Sequence, residues 1–213
     1  MRRFEFRACA SEDEVAATAA GWVLDAFVGS GGDFGIGVSG GRVAPVFFRE
    51  SVRQARGRGL AFGDADFFWC DERCVPAEHE QSNYRVTALE LLEPLGVAPG
   101  KVHRLRGELP PASGAVAARE DWERWRAGRV SRGKPGALDV AVLGVGEDGH
   151  VASLFPENLE TDLRATEAYR AVRGSKPPPD RLTLGYRELW EAARVVVLAT
   201  GSGKEAVVRG SWE

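Results

Sequence analysis

The sequence predicts an α/β protein, a mainly parallel open sheet with helices on both faces. Three observations carry that expectation. Short apolar runs at 34–38, 66–70, 138–143 and 194–199 read as strands buried on both faces, with segments of helical period between them. The turns that end three of these runs are rich in glycine, so the backbone there can bend sharply and come close to a ligand. A chain of 213 residues, 44% hydrophobic and 28% charged, is long enough for one such domain with a substantial core and short for two. The domain is therefore read as 1–213.

The elements follow in order. Arg3 to Arg7 alternates Phe4 and Phe6 with charges, predicting a short edge strand. Ser11 opens Ser-Glu-Asp-Glu, a capping-box pattern, and Val15, Ala19, Trp22, Val23 and Ala26 recur at helical spacing until Gly29 to Gly32 end the helix. The strand at 34–38 is closed by Ser39-Gly40-Gly41 before a helix that starts near Ala44-Pro45 and runs to about Ala55. Strand, glycine turn and helix in that order aim backbone N–H groups and a positive helix end at an anion. The strand at 66–70 delivers Asp71, Glu72 and Arg73 at its carboxyl end, where charges face the ligand crevice of an open sheet. Ser82 opens a helix through Leu92. His79 lies in a polar loop and reads as solvated, and His103 has no assigned role. Ala112 to Arg129 is a helix whose Trp122 and Trp125, three apart, point to packing.

The run Leu138 to Pro156, LDVAVLGVGEDGHVASLFP, is the centre of the reading. A buried strand is followed by Gly144, Gly146 and Gly149, with Asp148 two residues from His150. Gly144 to Gly149 fits the dinucleotide pattern G-x-G-x-x-G, but Pro156 stops any following helix within about two turns, so nucleotide binding is rejected. Gly37 to Gly41 fits G-x-S-x-G, and a serine-hydrolase triad of Ser39, Asp139 and His150 has the right order. Against it, a further strand follows the histidine. Residues 157–164 read as an acidic, irregular rim, and Tyr169 to Arg173 as a strand. The prolines after Lys176 fix an extended approach to Arg181, Glu188 to Ala193 is a short helix, and 194–199 is a last buried strand. Thr200 to Lys204 is not a P-loop, because Leu198 stands where its first glycine belongs. A lysine at a helix start opposes the dipole, and a bound anion would relieve that.

A net charge of −3 gives no reason for nucleic-acid binding. Cys9, Cys70 and Cys74 are odd in number behind no secretory segment, which suits a reducing compartment, and the expected location is the cytoplasm. No zinc spacing and no membrane-length apolar run is present. No metal and no cofactor are expected.

Four blocks carry a family resemblance. They are Ser39-Gly40-Gly41, then Asp-Glu-Arg-x-Val-Pro from Asp71 with Ser82-Asn83, then G-V-G-E-D-G-H-V-A-S-L-F-P from Gly144, and last the Lys-Pro-Pro run from Lys176 through Thr200-Gly-x-x-Lys204. Together they resemble the 6-phosphogluconolactonases, whose superfamily includes the glucosamine-6-phosphate deaminases. The resemblance implies a modified Rossmann-like sheet of the sugar-phosphate isomerase/lactonase type. It further implies hydrolysis of 6-phospho-D-glucono-1,5-lactone in the oxidative pentose phosphate pathway, by a monomer or weak homodimer. The deaminases follow their Asp-Gly-His with A-F-N-E-P, and here Phe155 holds the glutamate's place.

On this resemblance His150 is the general base, Asp148 orients it, and Arg73 with loop N–H groups near Gly146 and Gly149 stabilises the oxyanion. Asp71 and Asn83 give support or substrate hydroxyl contacts. Ser39, Gly40, Gly41 and Lys204 hold the phosphate. The family's turn reads S-G-G-S-T-P; Ser39 to Pro45 is one residue longer and lacks the threonine, so Arg42 is expected to supply a charge-assisted replacement. The family continues through another strand and helix, so the chain is read as truncated or as a short variant. Two alternatives stay open: a deaminase or isomerase, and a non-catalytic sugar-phosphate sensor.

Overall fold

The computed structural model describes residues 4–210. The expected edge strand loses Arg3 to the residues outside that range, and Phe4 to Arg7 form no strand among the described residues; Phe4 and Phe6 stand 78% and 61% exposed. Helix α1, Glu12–Ser30, begins as the capping pattern requires, with Ser11 Oγ accepting from Glu14 N, and ends on a left-handed Gly31. Strand β1, Gly35–Val38, leads through the glycine turn into α2, Ala44–Gly57, with proline in its first turn. Strand β2, Asp66–Trp69, is followed after Cys70 alone by β3, Asp71–Arg73, and the chain changes sheet at that residue.

The helix opened by Ser82 is α3, Asn83–Thr87, which continues through a π turn, Ala88–Leu92, into the short α4, Glu93–Leu95. Then follow β4, Val102–His103; α5, Pro111–Ser131; and β5, Val140–Gly144. The stretch read as an irregular rim is instead helical, a 3₁₀ turn at Pro156–Asn158 running into α6, Leu159–Arg164, because Pro156 presets the first turn's φ. Strands β6, Tyr169–Arg173, and β7, Asp180–Leu184, precede α7, Tyr186–Glu191. Strand β8, Arg194–Leu198, a 3₁₀ turn at Ser202–Lys204 and α8, Glu205–Gly210, complete the described chain.

Five strands form a wholly parallel sheet in the order β4-β2-β1-β5-β8, as expected for this fold class. The two neighbours in β2 show how it is covered. Phe67 meets Phe62, which packs on Phe27 of α1, whereas Phe68 meets Trp122 and Trp125 of α5. Consecutive strand residues point to opposite faces, so helices cover both. The two tryptophans are core, as their spacing suggested; Trp122 is 1% exposed.

The sequence did not disclose the second sheet, β3-β7-β6, which is antiparallel. It stands beside the main sheet on the side of α5, tied to it where Tyr169 Oη donates to Trp69 O at 2.9 Å. Strand β8 is less buried than its apolar run suggested. It is the outer strand of the sheet, and Val195 and Val197 face outward, 38% and 53% exposed.

Candidate active site

The strand order reverses between β1 and β5, and in open sheets ligands bind beyond the carboxyl ends at that point. A crevice of about 350 Å³ lies there. It is walled by Ser39 to Val43 after β1, by Gly144 to Glu147 with His150 and Ala152 after β5, and by Lys204 after β8. Asp71 and Arg73 of β3, Asn83 of α3, and Lys176 and Arg181 from the antiparallel sheet's side complete it. Ten of the twelve residues singled out in the sequence therefore meet in one place. Asp148 and Gly149 do not line it: Gly149 turns the loop with φ 89°, and Asp148 is reached through His150.

The loop after β5 is built around that pair. His150 Nδ1 lies 2.5 Å from Asp148 Oδ1, and Gly146 N donates to His150 O at 2.7 Å. A β-carbon on Gly146 would collide with the imidazole and with the carboxylate. The glycine thus makes room for the dyad itself. Partial burial works against the Asp148 charge, but the hydrogen bond from His150 and the imidazole's positive form outweigh it and hold the carboxyl below its ordinary value. Phe155, in the deaminase glutamate's place, is buried with its ring centroid 5.0 Å from that of His150. Ala152, on the crevice wall, holds a left-handed φ of 50° that is uncommon for a residue with a β-carbon.

Asp139 cannot complete a serine-hydrolase triad. At the opposite, amino end of β5, it accepts from Gly35 N at 2.8 Å and from Arg129 Nη1 at 2.6 Å. The carboxylate on His150 is Asp148.

After β1, the turn brings backbone and the start of α2 to the crevice. Arg73 Nε is buried with no hydrogen-bond partner among the described residues, and Ser39 Oγ is buried beside the Cys70 thiol. Arg42 reaches Glu147 at 3.9 Å across the mouth. Lys204 ends a 3₁₀ turn and precedes α8, where a helix start was expected; burial, with Arg42 nearby, pulls its amine below the ordinary value. Five cations, Arg42, Arg73, Lys176, Arg181 and Lys204, line the crevice against two carboxylates, Asp71 and Glu147. In a chain of net charge −3 this is a local concentration of positive charge suited to an anion.

Glu72 behaves differently from the crevice-facing charge that its position suggested. It is 2% exposed and points inward, accepting from Arg73 N, Asn83 N and Tyr84 N, each at 2.7 Å, and from Ser82 Oγ at 3.0 Å. Burial raises its carboxyl above the ordinary value in spite of these donors. Asp71 accepts from Ser153 Oγ at 2.9 Å and from Asn83 Nδ2 at 3.2 Å, joining two motif blocks in one network.

The sequence reading assigned no role to Lys176 and left Arg181 undecided. The Lys-Pro-Pro part of their block does not sit at a strand's carboxyl end, as its Thr200 to Lys204 part does; it leads into the amino end of β7 in the other sheet. The thiols take no part. Burial pushes Cys70 up to about 12 and Cys74 up to about 11, so neither is a ready nucleophile near neutral pH.

A family model described as glucosamine-6-phosphate isomerases/6-phosphogluconolactonase matches residues 10–213. The chain belongs to this family. The 6-phosphogluconolactonase of Homo sapiens is 34% identical over 179 residues, covering 83% of this chain and 67% of that protein. The 6-phosphogluconolactonase of Treponema pallidum is 42% identical over 125 residues, 59% of this chain, which spans half of that protein's length. The crystal structure of a 6-phosphogluconolactonase from Shewanella baltica superposes with a TM-score of 0.84 at 24% identity, over 100% of this chain and 88% of that one. At that identity the superposition shows the family's fold. Within it, the described residues include no helix long and apolar enough to cross a membrane.

Proposed function

We propose that this chain hydrolyses 6-phospho-D-glucono-1,5-lactone to 6-phospho-D-gluconate, with His150 as the general base. It is a carboxylic ester hydrolase. The observation that carries the reading is the imidazole fixed by Asp148 at 2.5 Å on the wall of a crevice where five cations face two carboxylates. With Nδ1 held by the carboxylate, the other ring nitrogen is left to take a proton from water. The water oxygen bonds to the lactone carbonyl carbon, and the electron pair moves to the carbonyl oxygen, where Arg73 offsets the charge. On collapse the carbon–ring-oxygen bond breaks, and the imidazolium returns its proton to the leaving oxygen. The new carboxylic acid then ionises.

The phosphate is assigned to Ser39, Gly40, Gly41, Arg42 and Lys204, at the start of α2 and beside the turn after β8. Binding there makes energy available for orienting the carbonyl toward His150. Asp71 and Asn83 hold the wall between the two ends. The relatives bearing the 6-phosphogluconolactonase name support the substrate, and the three cysteines without a disulfide support a cytoplasmic setting.

The test is to generate the phosphorylated lactone in situ and follow its decay with wild type and with His150→Ala. Acceleration by wild type that is lost in the variant supports both reaction and base. A folded wild type that leaves the spontaneous rate unchanged overturns the assignment.

A further inference from the structure

Asp148 has a second cationic neighbour. Its Oδ1 takes His150 Nδ1, and its Oδ2 stands 3.7 Å from Lys176 Nζ. Lys176 reaches in from the loop at 174–179, and a buried guanidinium holds that loop in place. Arg181 Nε donates to Pro178 O at 3.0 Å and Nη2 to Lys176 O at 3.2 Å, while Gly174 N donates to Pro179 O at 2.8 Å. Arg181 is 5% exposed and pairs with Arg73 across the β3–β7 ladder, so the clamp is anchored in the sheet that also supplies the oxyanion's arginine.

A half-exposed lysine–aspartate pair contributes little to stability. Beside the carboxylate that orients His150, the same cation acts on where the proton sits. We propose that Lys176, presented by the Arg181 clamp, is a positioning residue for the His150–Asp148 pair. It fixes the second carboxylate oxygen and offsets part of its charge, so that the imidazole gives up its proton at lower pH. The inference rests on His150 being the base of the proposed hydrolysis.

Other charges face the pair as well. Glu147 belongs to the same loop, Asp71, Arg73 and Arg181 stand on the wall beside the antiparallel sheet, and Arg42 and Lys204 lie after β1 and β8. Among the described residues it is Lys176, and none of these cations, that is paired with Asp148. Removing it makes the surroundings of the imidazole more negative, which favours the protonated ring.

The experiment compares wild type, Lys176→Met and Lys176→Arg by NMR titration of the His150 ring, assigned with His150→Gln, and by the pH profile of lactone hydrolysis. In Lys176→Met the midpoint is expected to rise by about 0.3–0.5 pH units, the size of one charge acting at short range through water. The acid limb of kcat/KM should move with it, the plateau at higher pH should stay, and Lys176→Arg should restore both. An unmoved midpoint in the methionine variant, or an arginine variant that behaves like methionine, overturns the proposal. A wild type without lactone hydrolysis overturns the function instead, and the ring titration still decides the coupling.

Discussion

The side chain of Asn83 occupies the space that a β-carbon on Gly40 would need. Asn83 is 3% exposed and cannot swing away, because its Nδ2 donates to Asp71 and its backbone N to Glu72. Two motifs more than forty residues apart are thereby locked at contact distance, and the glycine turn after β1 is set by the network behind Asp71.

Gly40→Ala should disturb the site more than the fold. The added carbon pushes the turn away from Asn83 and displaces the N–H groups assigned to phosphate. Displacements of about 1 Å at a positioning group cost on the order of 10²-fold, so kcat/KM should fall by about that factor. The strain is local, and overpacking of this kind costs about 1–3 kcal/mol. Steady-state kinetics beside a urea melt checks both; a variant with wild-type kcat/KM would remove the turn from the binding site.

His150→Asn should lose about 10²–10⁴-fold in kcat, the usual contribution of a general base. KM should change little, because the phosphate contacts are untouched. The imidazole is only partly enclosed and gives up one short hydrogen bond, so the melting temperature should stay close to wild type. Single-turnover measurement separates loss of chemistry from loss of binding.

Much of this was legible because four of the five strands of the main sheet are short, nearly all-apolar runs, three of them ending in glycine turns, a pattern buried parallel strands impose; the two-residue β4 gave no such run. The dyad was legible because only Gly149 separates Asp148 from His150. The antiparallel sheet was hidden: β3 is three charged residues long, Asp71 to Arg73, and its inward glutamate gives no apolar period to read. Lys176 and Arg181 were hidden for the same reason, since pairing of β7 with β3 brings them to the crevice, and that pairing spans over a hundred residues. The helix at 159–164 was missed because exposed Leu159 and Leu163 amid acids show no buried stripe.

Lys204→Met should separate phosphate recognition from chemistry. The amine is held below its ordinary value by burial and by Arg42, an unfavourable setting for a cation that a dianion would relieve. With the phosphorylated lactone, KM should rise at least about tenfold, in keeping with loss of a charge-assisted contact. With the unphosphorylated glucono-lactone, kcat/KM should be unchanged. Equal losses on both substrates would mean that Lys204 supports the loop and does not read the phosphate.

His103, away from the crevice, should govern part of the pH dependence of stability. Its ring stacks on Phe68, with Nδ1 2.8 Å from Asp121 and Nε2 3.1 Å from Asp66. Burial opposes its charge, but the two carboxylates outweigh burial and hold the imidazole above its ordinary value. Stability from this group is complete below the unfolded value near 6.5 and is lost as pH rises through the folded one. The partners work in the other direction. Burial opposes the Asp66 charge, but His103 and Lys101 outweigh it, and the hydrogen bond from His103 lowers Asp121. Their contribution is present above about pH 4 and is lost as pH falls through their folded values. Wild type should therefore exceed His103→Gln by about 1–3 kcal/mol near pH 5.5, the range for hydrogen bonds to charged groups, and by less at pH 8.5. Urea unfolding at the two pH values checks this. A difference that grows with pH would mean that His103 is neutral in the folded protein and that the carboxylates are held by Lys101 and Arg124 instead.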